Sequence, residues 1–225
     1  MFKELSASSH KYNTAIYVVE FQKLLGKIIL CYKIMLSDKI QLENDENKIR
    51  DKLILNYLNN KKIKEKIKLN DFLFNREVPE DNTAGRTDIK VQTKNSFSDP
   101  DAYYIIECKR LDSENLKGSS GLNAEYAKEG ILRFTSGYYS SYYRVNGMIG
   151  FVVEKMDIHG NINNINYIIK QHYPRTNTIE FLQKEKFIDN YDFHYSSKHK
   201  VNDNKEIILY HLMLDFTKNI VLVKK

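Results

Sequence analysis

The fold of this chain is decided by two short stretches, residues 85–91 (GRTDIKV) and residues 103–111 (YYIIECKRL). Each predicts a β-strand, because apolar and β-branched residues surround isolated charges and turn-forming residues bound the runs. The first strand carries one acid, Asp88, and the second ends in Glu107-x-Lys109. Since side chains alternate between the faces of a strand, Glu107 and Lys109 share one face. The sequence therefore predicts a hairpin that presents a small cluster of charged groups.

Hydrolysis of a phosphodiester bond requires such groups at one point. A divalent metal ion neutralises charge on the scissile phosphate and polarises a water molecule, and Mg²⁺ prefers oxygen ligands. Asp88 and Glu107 would supply carboxylate oxygens, and the main-chain carbonyl of Cys108 a third oxygen. Lys109 would orient the attacking water or stabilise the transition state as a compact positive charge. We therefore expect a Mg²⁺ or Mn²⁺ site. The alternative is a solvated surface hairpin in which Glu107 and Lys109 form an ion pair.

The rest of the chain predicts alternating helices and strands. Helical spacing runs from Glu43 to about Leu69 with a break at Asn59–Asn60, and the first 36 residues are compatible with helix or strand. Residues 76–86 are polar and predict a loop. The remaining predicted elements are strands over 86–93 and 102–111, a helix over 123–137, a strand over 147–155, a helix over 161–172, and strands over 207–214 and 220–223.

Asp88 followed by Glu107-Cys108-Lys109 at the end of an apolar strand resembles the PD-(D/E)xK nuclease superfamily. The resemblance implies a restriction-endonuclease-like α/β fold, with a mixed central β-sheet flanked by helices in αβββαβ order. Residues 1–225 are then a single domain, with a core at about 43–155 and N- and C-terminal embellishments. Thr87 stands where the family's name-giving proline would be, so only the acid of that pair is kept.

The resemblance also implies an acidic residue on the helix that precedes the hairpin. Glu46 is the best match, because it shares a helical stripe with Ile49 and Leu53, and Glu43 is the fallback. Glu46 would then join Asp88 and the strand residues as a catalytic and metal-binding group.

Four side chains are candidates for nucleic-acid binding: Arg133, Arg144, Tyr142 and His199. Arg133 lies on the helix after the hairpin, where similar superfamily members place a basic or amide residue near the cleft. It also stands four residues after Glu129, which favours a simple ion pair. Tyr142 and Arg144 belong to a tyrosine-rich run that would stack on bases, form a packing corner or make a dimer contact. His199 lies in a polar, basic segment.

Composition limits the class of protein. Thirty-five basic residues against 29 acidic ones give a net charge of +6, which suits a nucleic-acid partner. No apolar run is long enough for a membrane span, the start lacks a signal-peptide core, and two cysteines make no disulfide framework, so we expect a cytoplasmic protein. The expected function is a metal-dependent DNA nuclease in bacterial or phage restriction, anti-phage defence or DNA repair. The resemblance also suggests a homodimer, in which both strands of a duplex would meet a site. The alternatives are a non-catalytic nucleic-acid-binding or assembly protein on the same fold, or an RNase.

Overall fold

The computed structural model describes residues 14–79, 86–139, 145–201 and 205–221. Within these ranges the chain is a mixed α/β protein in which helices flank a seven-stranded mixed β-sheet. The helices are α1 (Thr14–Ser37), α2 (Glu46–Leu53), α3 (Lys61–Ile67), α4 (Leu122–Glu125), α5 (Leu132–Thr135) and α6 (Ile158–His172). The strands are β1 (Leu42–Glu43), β2 (Leu73–Pro79), β3 (Arg86–Gln92), β4 (Tyr103–Leu111), β5 (Val145–Val152), β6 (Thr178–Lys184), β7 (His194–Lys200), β8 (Glu206–Asp215) and β9 (Ile220–Val221).

Two helices of the first half begin at side-chain caps. The Asp45 carboxylate accepts a hydrogen bond from the backbone N–H of Lys48 at the start of α2. The Asn60 side chain accepts one from the backbone N–H of Ile63 at the start of α3. The predicted helical region is confirmed from Glu46 onward, and the predicted break at Asn59–Asn60 is where α3 is capped. Two segments are π-helical: Ile54–Leu58 continues α2, and Tyr126–Ile131 joins α4 to α5.

The large sheet has the strand order β2-β3-β4-β5-β8-β7-β6. β2, β3 and β4 are antiparallel neighbours, β4, β5 and β8 are parallel, and β7 and β6 return antiparallel. From α2 onward the chain thus runs through helices, three strands, the α4–α5 helical run and a parallel strand. All eight residues of β5 are buried, as expected for a central strand covered on both faces.

Each face of the sheet has its own apolar core. On one face, residues such as Phe21 of α1 and Ile49 of α2 pack with Ile89 of β3. On the other face, residues such as Tyr126 and Ile165 pack with side chains of β4, β5 and β8. No helix in the described ranges is long and apolar enough to cross a membrane.

Several sequence-based predictions need correction. The polar loop predicted for residues 76–86 is wrong up to Pro79, because β2 continues to that residue as an edge strand paired with β3. Only Phe74 of β2 is fully buried, so the strand lacks the apolar run by which strands are recognised. The undecided N-terminal region is helical from Thr14. β8 and β9 confirm the predicted C-terminal strands within the described residues, whereas β6 and β7 were not predicted.

Candidate active site

Asp88 and Glu107 are neighbours across the antiparallel pair β3–β4. In the antiparallel register Ile89 lies opposite Ile106, so the next residues along the two strands, Asp88 and Glu107, lie opposite each other. Lys109 lies two residues further along β4, on the same face as Glu107. Glu46 is the first residue of α2, and its carboxylate accepts a hydrogen bond from the backbone N–H of Arg110 at 2.9 Å. The α2 N-terminus is thereby attached to the end of β4.

The Lys109 ammonium is the centre of the cluster. Its Nζ lies 2.8 Å from Glu107 Oε1, 3.1 Å from Glu46 Oε1 and 3.9 Å from Asp88 Oδ2. It also donates to the main-chain carbonyl of Cys108 at 2.9 Å. These carboxylates raise the pKa of Lys109 above its ordinary value, although burial alone would lower it. One buried positive charge is therefore surrounded by the four groups that the sequence singled out as metal ligands.

Glu107 has no exposed surface, and both of its carboxylate oxygens accept hydrogen bonds. Its Oε1 also accepts from Arg133 at 2.8 Å, and its Oε2 accepts from the Tyr139 hydroxyl at 2.5 Å. Burial, with a smaller contribution from the charge of Asp88, raises the pKa of Glu107 to about 7 even though Lys109 and Arg133 act to lower it. Burial and the neighbouring Glu107 likewise raise the pKa of the Tyr139 hydroxyl, which keeps it a proton donor.

Asp88 is held by one charged and one main-chain partner. Its Oδ1 accepts from Arg50 at 2.9 Å, and its Oδ2 accepts from the backbone N–H of Cys108 at 2.8 Å. Arg50 is almost completely buried and also contacts Asp51 and Glu77. A buried guanidinium with several carboxylate partners holds their planes in fixed directions. Arg50 therefore fixes the orientation of Asp88 toward Lys109.

The donor groups suit a hard divalent cation. Asp88, Glu107, Glu46 and the Cys108 carbonyl offer oxygen ligands, which Mg²⁺ and Mn²⁺ prefer, and they already surround one cation, the Lys109 ammonium. Within the described residues, no group of three or more His, Cys, Asp or Glu side chains has the spacing of a formed metal site. The ammonium and two guanidinium groups occupy the carboxylate oxygens instead. The oxygen ligands therefore fit a divalent cation such as Mg²⁺, and in this structure the Lys109 ammonium is the cation that they surround.

The Cys108 thiol takes no part in this cluster. Its side chain lies on the opposite face of β4 among apolar residues, and burial raises the pKa of the thiol well above its ordinary value. The contribution of Cys108 to the cluster is its main chain, whose N–H donates to Asp88 and whose carbonyl accepts from Lys109.

The other sequence candidates are distributed as follows. Glu46, not the fallback Glu43, reaches the cluster, since Glu43 lies on β1 and pairs with Lys48. Arg133 contacts Glu107 and also pairs with Glu129 at 3.5 Å across one helical turn. Tyr142 and Arg144 lie outside the described residues.

His199 is the one candidate whose position argues against its expected role. It is fully buried on β7, with Nε2 2.7 Å from the Ser197 hydroxyl and Nδ1 3.1 Å from the Thr176 carbonyl. Burial lowers the pKa of His199 to about 4, so the ring stays neutral at neutral pH. A buried, neutral ring bonded within the protein contradicts the prediction that His199 contacts a nucleic-acid phosphate.

Sequence reasoning missed two residues of the cluster, Arg50 and Tyr139. Arg50 stands four residues after Glu46, and this helical spacing was the available signal. Tyr139 belongs to the tyrosine-rich run, but nothing in that run distinguishes the tyrosine that reaches Glu107 from its neighbours.

Comparison of the chain with protein-family models, with curated proteins and with solved structures found no match.

Proposed function

We propose that this protein is a metal-dependent nuclease that hydrolyses DNA phosphodiester bonds. The observation that carries the proposal is the convergence of three carboxylates and a main-chain carbonyl on one point, with a lysine at its centre. The order of elements supports a restriction-endonuclease-like core. From α2 to β5 the chain runs through the helices α2 and α3, an antiparallel run of three strands, the α4–α5 helical run and a parallel fourth strand.

In this proposal Asp88, Glu107, Glu46 and the Cys108 carbonyl would hold Mg²⁺ or Mn²⁺. The bound metal ion would supply charge neutralisation at the scissile phosphate and a water molecule of lowered pKa. Lys109 carries a proton throughout the neutral range, and its ammonium stabilises negative charge that develops on the phosphate oxygens. Water adds to phosphorus, one P–O ester bond breaks, and the leaving oxygen takes up a proton.

Arg133, Tyr139 and Arg50 act on the proposed reaction through the carboxylates that they bind. Arg133 and Tyr139 both bind Glu107, so they orient that carboxylate, and Arg50 orients Asp88 in the same way. These three residues are positioning residues in the proposal. The expected biological setting of defence or repair, the cytoplasmic location and a homodimer remain predictions from the sequence.

The test is cleavage of labelled single-stranded and duplex DNA with MgCl₂ or MnCl₂, and with EDTA in place of metal. Asp88→Asn and Lys109→Met should each lower the rate by about 100-fold or more, the scale of loss for one transition-state contact. Asp192→Asn and Lys184→Met are matched controls, because these two residues form an exposed ion pair near β6. Cleavage by wild-type protein that persists in Asp88→Asn and Lys109→Met would mean that another site does the chemistry.

The complete pairing of the carboxylates supports one alternative, a non-catalytic DNA-binding protein on the same fold. Every carboxylate of the cluster has a cationic partner, as in a purely structural ion-pair network. Calorimetry with MgCl₂ and with MnCl₂ separates the two functions. Heat of binding that disappears in Asp88→Asn supports the nuclease, and no heat together with DNA binding supports the alternative.

A further inference from the structure

Asp88 and Glu107 form one row, the catalytic row, of a larger surface on β2, β3 and β4. On the same face, the next row contains Asn75, Lys90 and Ile105, and the row after it contains Leu73, Gln92 and Tyr103. We call Leu73, Asn75, Lys90, Gln92 and Tyr103 the β2–β4 platform. Two residues along a strand separate successive rows, so Lys90 is about 7 Å from Asp88 along β3.

The platform is open to solvent, in contrast to the catalytic row. Each of its five residues keeps part of its surface exposed, and Leu73 is 52% exposed. A cavity of about 550 Å³ runs along the edge strand, and its lining includes Asn75, Glu77, Lys90 and Gln92. A ligand lying in this cavity would therefore contact three platform residues and end beside Glu77, which stands opposite Asp88 on the neighbouring strand.

Lys90 supplies a positive charge that the protein itself does not neutralise. Its Nζ lies 3.7 Å from the centroid of the Tyr103 ring, and it forms no ion pair with any described residue. Three neighbouring cations are each paired with a carboxylate: Arg76 with Asp51, Lys94 with Asp71, and the buried Arg50 with Asp88. A cation–π contact fixes the ammonium without cancelling its charge. Lys90 is thus positioned to bind an anion.

The two amides of the platform add neutral hydrogen-bonding groups. The Asn75 side-chain N–H donates to the Gln92 carbonyl oxygen at 2.9 Å. This bond leaves the Asn75 carbonyl oxygen and the Gln92 amino group available for further partners. The Lys90 ammonium beside these neutral amides suits a nucleic-acid strand, which carries one negative charge per nucleotide and many polar sugar and base groups.

We propose that the β2–β4 platform binds the DNA strand next to the scissile phosphate, and that Lys90 contacts a backbone phosphate adjacent to the one cleaved. This inference rests on the proposed nuclease function, and it assigns to Lys90, Asn75 and Gln92 a role in holding substrate. The charge of Lys90 lies outside the catalytic cluster, so its contribution is to binding and not to the chemical step.

The test is binding of a fluorescently labelled DNA oligonucleotide by anisotropy in EDTA, over a series of salt concentrations. The same oligonucleotide is used single-stranded and as a duplex, so the experiment identifies which form the platform holds. Lys90→Gln should weaken binding several-fold, and the slope of log K against log salt should fall by about 1, as for the loss of one phosphate contact. Lys90→Arg should keep both the affinity and the slope.

Lys170→Gln is the matched control, because Lys170 is an exposed lysine on α6, on the part of the sheet remote from β2. It should bind DNA as the wild type does. If Lys90→Gln binds both forms of DNA with wild-type affinity and slope, the platform assignment is wrong.

Steady-state cleavage in MgCl₂ separates a failure of this inference from a failure of the proposed function. Lys90→Gln should raise KM with little change in kcat, the signature of lost ground-state binding. Wild-type cleavage with an unchanged KM in Lys90→Gln overturns the platform and leaves the nuclease function standing. Weaker DNA binding by Lys90→Gln in a protein that cleaves no DNA supports the platform and overturns the nuclease function.

Discussion

Replacement of Glu107 by glutamine is expected to change how the stability of the protein depends on pH. Glu107 has no exposed surface, and its pKa is raised from 4.5 to about 7, chiefly by burial. The folded protein therefore holds this proton more tightly than the unfolded chain does. The contribution of Glu107 to the free energy of unfolding is fully present below pH 4.5 and is lost as the pH rises through about 7.

The size of the effect follows from the two pKa values. At about 1.4 kcal/mol for each pH unit between them, Glu107 alone lowers the free energy of unfolding by about 3 kcal/mol between acid and neutral pH. Glutamine does not titrate, so Glu107→Gln lacks this loss. The difference in free energy of unfolding between the variant and the wild type should therefore shift by about 3 kcal/mol in favour of the variant from about pH 4 to about pH 8. For a chain of this size this corresponds to about 6–12 °C in Tm.

Urea unfolding in EDTA at several pH values measures this difference directly. Glu180→Gln is the control for the substitution, because Glu180 is a partly exposed residue of β6 that pairs with Lys198. A difference between Glu107→Gln and wild type that stays constant with pH would refute the reasoning. A change of opposite sign would mean that the attraction of Lys109 and Arg133 outweighs burial.

Three further predictions concern residues that support the cluster or the sheet. Arg50→Met should lower the free energy of unfolding by about 3–5 kcal/mol in urea titrations, because it leaves partly buried carboxylates without their cation; a loss below 1 kcal/mol would contradict this account. Tyr139→Phe removes the hydroxyl bonded to Glu107 and should cost about 1–3 kcal/mol by the same assay, and the apparent pKa of Glu107 should move further up in the pH series. Gly147→Ala should destabilise the protein by about 1–3 kcal/mol in thermal unfolding, because a Cβ there would lie 2.9 Å from the buried ring of Phe21; an unchanged Tm would show that this ring moves freely.

The sequence predicted the elements that have a clear apolar signal. β3, β4 and β5 carry buried apolar side chains in runs or alternation, and each was located to within a few residues. β7 was missed because its sequence, HYSSKHK, is polar although most of it is buried. Its polar groups bond to one another and to the neighbouring strand β8, as in the contacts of Ser197 with His199 and with His211 of β8. A polar stretch is expected at the surface only where no group inside the protein bonds its side chains. The local sequence does not show these partners, so the buried strand β7 looks like an exposed segment.

The same reason explains which parts of the candidate site were found. Asp88, Glu107 and Lys109 follow a local pattern on two strands, and the family resemblance implies the helical acid, for which Glu46 is the best match. Tyr139 reaches Glu107 only because the chain returns to the sheet after α5, a tertiary contact that no local spacing encodes. The sequence therefore identified the three carboxylates and Lys109 but not Arg50, which orients Asp88, or Tyr139, which orients Glu107.

The balance of charge in the cluster shows why substrate recruitment falls to a residue outside it. Three carboxylates and three cationic side chains contact one another, and they are Glu46, Asp88, Glu107, Arg50, Lys109 and Arg133. With all six ionised their charges sum to zero, although burial still disfavours the ionised form of Glu107. Each cation of the cluster is already bound to a carboxylate and has little attraction left for a distant phosphate. Lys90 carries a charge that no described carboxylate offsets, on a surface that solvent and substrate reach. In the proposed nuclease, attraction of DNA therefore depends on the platform, whereas the neutral cluster keeps its carboxylates in place until substrate and metal arrive.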